Sequence, residues 1–122
     1  MVRLLMALGA LMTALAMWVG PAVAGDVTFY IQSQHPNVVS LEFYSQDRNY
    51  VWPGNSQVYL LEDYDTHEFA LSCNKGEKIC FGAWVRNRSD LYWGVGPNNA
   101  EYCTDCCYTC NGGYTQTIVL NP

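Results

Sequence analysis

Positive charge is scarce in this chain. Its 122 residues carry six lysines and arginines against eleven aspartates and glutamates. Beyond Arg3 the basic side chains are Arg48, Lys75, Lys78, Arg86 and Arg88, and they form no run. Nucleic acid and anionic membrane surfaces are therefore poor partners, because both bind by exchanging counterions for a positive patch. Helical periodicity is missing as well: no ten-residue segment repeats its apolar positions every 3.6 residues. Catalytic signatures are absent too. There is no Gly-x-Ser-x-Gly, no His-Glu-x-x-His and no phosphate loop, and no carboxylate pair is distinguished by its spacing. The chain is expected not to be an enzyme and to need no cofactor.

The single long apolar run is too short to be a membrane span. It covers residues 4–19, is broken by Gly9 and Thr13, and falls short of the roughly 20 residues a bilayer requires. Arg3 precedes it and Ala22-Val23-Ala24 follows it, which is the layout of a cleaved leader. Residues 1–24 are thus expected to be a signal peptide, and residues 25–122 a single domain, secreted or periplasmic, with no membrane insertion after cleavage. No cysteine follows the cut to carry a lipid.

Apolar residues alternate with polar ones in several short stretches. In residues 26–33, Val27, Phe29 and Ile31 share one face while Thr28, Tyr30 and Gln32 share the other. Val39, Leu41 and Phe43 repeat the pattern against Ser40, Glu42 and Tyr44. A period of two marks half-buried strands. Further strands are expected over residues 57–61, 67–73, 78–85, 91–95 and 115–120. They are separated by turn chemistry at His35-Pro36-Asn37, Trp52-Pro53-Gly54-Asn55, Lys75-Gly76 and Gly96-Pro97-Asn98-Asn99. Six or seven short strands predict an all-β fold, a small antiparallel β-sandwich stapled by disulfides.

Sulfur is the abundant feature. Cys103, Cys106, Cys107 and Cys110 fall within eight residues, and Cys73 and Cys80 flank Lys75-Gly76, an expected hairpin turn. Six cysteines allow 15 complete pairings. Cys106 and Cys107 are poor partners for each other, since adjacent side chains diverge. A Cys73–Cys80 bridge would lie on a strained diagonal of that hairpin. The expected scheme links one or both of Cys73 and Cys80 to the late cluster. Two tandem Cys-x2-Cys units could instead close a tetrahedral zinc site. The export signal favours disulfides, because thiols oxidise outside the cytoplasm and a small core gains from staples. A thioredoxin-like reading lacks the βαβ setting that chemistry needs.

Two other groups bear on function. Asp63, Asp65, His67 and Glu68, with Glu62 beside them, could ligate a metal, although an acidic run between strands is ordinarily a solvated face. The aromatic load offers more. Trp52, Trp84, Trp93, Tyr44 and Tyr92 are candidate ligand-binding residues, because flat rings stack on sugars and anchor protein interfaces. The alternative for each ring is core packing or cover for a disulfide. Asn87-Arg88-Ser89 matches a glycosylation sequon.

Trp52-Pro53-Gly54, the run Gly76-Glu77-Lys78-Ile79-Cys80-Phe81-Gly82-Ala83-Trp84 and the double Cys-x2-Cys together resemble blocks in a group of small exported bacterial proteins with six cysteines and no assigned function. That resemblance implies export and a shared fold and transfers no catalytic residue. Val51-Trp52-Pro53-Gly54 is also similar to an early motif of thaumatin-like proteins, whose length and cysteine count this chain does not share. The functional expectation is an exported, non-catalytic binding module for a glycan or an extracytoplasmic protein. The alternatives are a metal-binding protein, using the 103–110 cluster or the acidic run, and a structural envelope protein.

Overall fold

The computed structural model describes residues 22–122; the expected leader, residues 1–21 of it, lies outside the described residues. Nine strands follow one another: β1 (Ala24–Ser33), β2 (Val39–Ser45), β3 (Val51–Trp52), β4 (Tyr59–Leu61), β5 (Thr66–Asn74), β6 (Lys78–Val85), β7 (Arg88–Gly94), β8 (Cys107–Thr109) and β9 (Tyr114–Leu120). One sheet has the order β5-β1-β9. The other runs β3-β2-β6-β7, with β4 also on β2 and β8 also on β6. Alternation sorts the side chains as expected. Val27, Phe29, Ile31 and Leu71 of the first sheet form one core with Val39, Leu41, Phe43, Ile79 and Ala83 of the second, all buried. Phe29 and Phe43 meet across the gap with ring centroids 4.6 Å apart. Burying each of the larger side chains among them, Val, Leu, Ile or Phe, is worth about 1.5–3 kcal/mol.

Three features depart from the expectation. β1 and β9 pair in parallel, so the sandwich is antiparallel in every pairing but one. Their ladder shifts register between Thr28 and Tyr30, where the Tyr30 amide donates to Thr115 Oγ1 at 3.0 Å. Secondly, the turn between Cys73 and Cys80 is a corner and not a hairpin: β5 pairs with β1 while β6 pairs with β2. Gly76 takes φ 88° there, and its amide donates to Cys110 O at 2.7 Å. Thirdly, β3 and β8 are additional strands of two and three residues, too short to show a period. β4 is shorter than the expected 57–61, and β7 begins three residues before the expected 91. The first strand starts at Ala24, which pairs with Asn74, so the expected cleavage point falls at its first residue.

The outer face of the larger sheet is covered at one end by residues 94–101, which include a single 3-10 turn at Pro97–Asn99. That cover exists because residue 82 has no side chain. A Cβ on Gly82 would strike the Gly96 carbonyl and come within 2.8 Å of Tyr44 Cε2.

Candidate functional site

The cysteines form the frame. Cys73 pairs with Cys110, Cys80 with Cys107 and Cys103 with Cys106. Both early cysteines are thus tied to the late cluster, the fuller form of the expected scheme. A tetrathiolate of Cys103, Cys106, Cys107 and Cys110 does not form, because Cys110 is held by Cys73 in a separate buried position. Three disulfides suit an oxidising, extracytoplasmic environment. Among the described residues no helix is long and apolar enough to cross a membrane.

The acidic run does not converge either. Asp63 Oδ1 lies 2.7 Å from His67 Nε2 and accepts the Asp65 amide at 2.9 Å. The His67 contact, helped by that amide, holds the Asp63 carboxyl below its ordinary value. Among the described residues, the one group of three or more ligating side chains whose donor atoms lie within 4.8 Å is Cys80, Cys106 and Cys107, so Asp63, Asp65, His67 and Glu68 are not brought together as a centre.

The five candidate aromatics divide. Trp52 is 7% exposed, and its indole N–H donates to Ser72 O at 3.0 Å. Tyr44 points away from the intersheet core as expected yet is only 4% exposed, because residues 94–101 close over it. Neither presents an open ring face, which corrects the expectation that these two are displayed for stacking. Trp84 and Tyr92 are cross-strand partners on the uncovered end of the same outer face. Trp93 has the opposite parity, packs partly against the core and donates its indole N–H to Asn121 O at 2.9 Å.

A cleft of about 310 Å³ opens where β2, the 45–50 loop and the 97–99 turn meet, and Glu42, Tyr44, Arg48, Tyr50 and Asn98 are among its lining residues. Its walls are fixed by the local sequence. Ser45 Oγ accepts the amides of Asp47 and Arg48 at 3.1 and 3.2 Å, folding the loop back on itself. Asp47 Oδ2 then accepts the Lys78 amide at 2.8 Å, which ties the loop to β6. On the opposite wall the Tyr44 hydroxyl donates to Glu42 Oε1 at 2.8 Å and accepts the Asn98 amide at 2.9 Å. Gln46 Nε2 donates to Asn99 Oδ1 at 3.2 Å, closing the ring of contacts.

Arg48 is held from beneath by Glu77, a carboxylate whose side chain is 2% exposed. The guanidinium donates through Nε at 2.6 Å and through Nη2 at 3.1 Å, the two-pronged geometry that suits a carboxylate. Burial alone would raise the Glu77 pKa. Hydrogen bonds from Arg48, Ser45 and the Asn74 amide outweigh it and hold the carboxyl below its ordinary value. Thus braced, Arg48 lies 4.3 Å over the Tyr50 ring. Burial raises the Glu42 pKa against the lowering effect of the Tyr44 hydrogen bond. Burial and the Glu42 carboxylate together push the Tyr44 phenol upward, so Tyr44 stays a neutral donor at physiological pH.

The cleft combines a carboxylate acceptor, a preset cation, side-chain amides and an aromatic edge. Such a set has the chemistry to hydrogen-bond paired hydroxyls and to pack against a ring. Comparison with family models, with curated proteins and with solved structures gives no match. The cleft therefore stands on its own chemistry. Of the cleft's lining residues only Tyr44 was a sequence candidate; Glu42, Arg48, Tyr50 and Asn98, and Glu77 beneath them, were passed over. The one available signal was Glu77 between Gly76 and Lys78 at the start of a strongly apolar strand, where a carboxylate needs a partner.

Proposed function

We propose that this protein is an exported, non-catalytic module that binds a glycan in the cleft between Glu42, Arg48, Tyr50 and Asn98. The observation that carries the reading is the bracing of Arg48. A guanidinium fixed by a buried carboxylate and laid on a tyrosine ring is preorganised, so a ligand that meets it avoids part of the ordering cost of binding. Sugars match the remaining chemistry, because Glu42 accepts hydroxyl protons and the Asn49 and Asn98 amides can donate and accept at once. Export accords with the three disulfides and with the leader-like N-terminus. The half-buried Trp84 and the exposed Tyr92 favour a second reading, docking on a protein surface, since Leu60, Ser40, Trp84 and Tyr92 form one cross-strand row with Leu60 40% and Tyr92 44% exposed.

An oligosaccharide array probed with residues 25–122, followed by calorimetry on the leading sugar, tests the proposal. Glu42→Gln and Tyr50→Ala should each weaken binding about tenfold or more with the melting curve preserved, while Trp84→Ala should leave affinity unchanged. Loss of binding in Trp84→Ala alone would move the site to the outer-face row. No retained sugar on the array would remove the glycan reading.

A further inference from the structure

We propose that Cys80, Cys103, Cys106 and Cys107 form a redox-gated site for one thiophilic divalent cation of the zinc class, closed as two disulfides and opened when both are reduced. The two bridges abut each other. Cys106 Sγ lies 3.9 Å from Cys107 Sγ, and the sulfurs of Cys80, Cys106 and Cys107 all lie within 4.8 Å of one another. Zinc–sulfur bonds of about 2.3 Å in a tetrahedron space the sulfurs about 3.8 Å apart. The contact between the bridges already has that spacing. Each bonded pair needs to part by only about 2 Å, a side-chain rotation once the bond is cut.

The backbone holds three of the four ligands in place without the bridges. Cys80 pairs directly with Cys107 in the β6–β8 ladder, and the carbonyl of Cys106 accepts the Phe81 amide at 3.1 Å. Cys103 lies outside any strand, two residues past Glu101, in the connection between the 97–99 turn and β8. Exposure separates the bridges further. Cys103 and Cys107 are half-buried, giving a reductant a sulfur-bearing residue to approach in each of the two bridges. Cys73 and Cys110 are 5% and 0% exposed, so their bridge stays behind as scaffold. Gly25 also lies close over Cys110, since a Cβ on it would come 3.1 Å from the Cys110 sulfur.

The chemistry balances with a dithiol as the electron donor. Two dithiols are oxidised to two disulfides, and the four electrons and four protons they release convert both bridges to four thiols. The cation then displaces four protons as it binds four thiolates.

The test uses residues 25–122 reduced with a trialkylphosphine, which cleaves each bridge by taking one water oxygen as phosphine oxide. Cobalt(II) and zinc(II) are the probes. The proposal expects one cobalt per chain with the intense absorption of a tetrahedral tetrathiolate, displaced by zinc, and a native strand signal throughout. Alkylation should find Cys73 and Cys110 unmodified, and zinc should protect the other four. Cys103→Ser and Cys80→Ser should each weaken cobalt binding more than tenfold and change the spectrum. Absence of bound cobalt, loss of the strand signal on reduction, alkylation of Cys73 or Cys110, or unchanged binding in Cys103→Ser would each overturn it.

Discussion

Removing the disulfides one at a time should destabilise the domain in an order set by the chain each bridge closes. Cys73–Cys110 spans 37 residues, Cys80–Cys107 spans 27 and Cys103–Cys106 only 3. With loop-closure entropy scaling as the logarithm of loop length, the bridges contribute about 4, 3.5 and 1.5 kcal/mol at 25 °C. For a domain of about 100 residues each kcal/mol moves the midpoint by about 4–8 °C. The double variant Cys73→Ala/Cys110→Ala should thus melt about 15–30 °C below the parent, and Cys103→Ala/Cys106→Ala about 6–12 °C below it. The first loss is a large part of the 5–15 kcal/mol that holds a small domain folded, so guanidinium titrations at low temperature should accompany the thermal scans. Equal losses in the two variants, or a larger loss from the three-residue loop, would refute the argument that these bridges act chiefly on the unfolded chain.

Further outcomes follow from individual contacts. Glu77→Ala, which removes the charge-assisted hydrogen bonds to Arg48 and to the Asn74 amide, should cost about 1.5–3 kcal/mol in a urea titration. Because the folded-state pKa of Glu77 lies below its ordinary 4.5, its contribution is complete above that value. It disappears as pH falls from there through the lowered one, so Glu77→Gln should show a flatter acid limb than the parent. Gly82→Ala places a methyl on the Gly96 carbonyl and should cost about 1–3 kcal/mol while raising the fluorescence accessibility of Tyr44, as residues 94–101 lift away.

Which features were legible in the sequence follows from the range over which each signal acts. Alternation is local, so Val27, Phe29 and Ile31 could be grouped on the inward face of one strand and Val39, Leu41 and Phe43 on the inward face of the next before any pairing was known. Pairing is not local. Nothing in the stretch from Cys73 to Cys80 distinguishes a hairpin from a corner, because β5 and β6 carry the same alternation whichever sheet receives them. The parallel partnership of β1 and β9 is hidden for the same reason. Tyr44 illustrates a further limit: its parity correctly puts it outside the sandwich, yet a loop more than 50 residues later covers it. The covering depended on Gly82 and Gly96, whose meaning appears only when they are stacked. The cleft was illegible because Arg48 and Glu77, 29 residues apart, carry no motif and acquire their role only from the way β2 and β6 lie side by side.

The most direct measurement is a titration of isotope-labelled residues 25–122 with the leading oligosaccharide, followed by amide chemical shifts. The account predicts that the largest changes fall on Glu42, Tyr44, Arg48, Tyr50 and Asn98, with Trp84 and Tyr92 undisturbed. Changes centred on Leu60, Trp84 and Tyr92, with the Arg48 cleft silent, would contradict it.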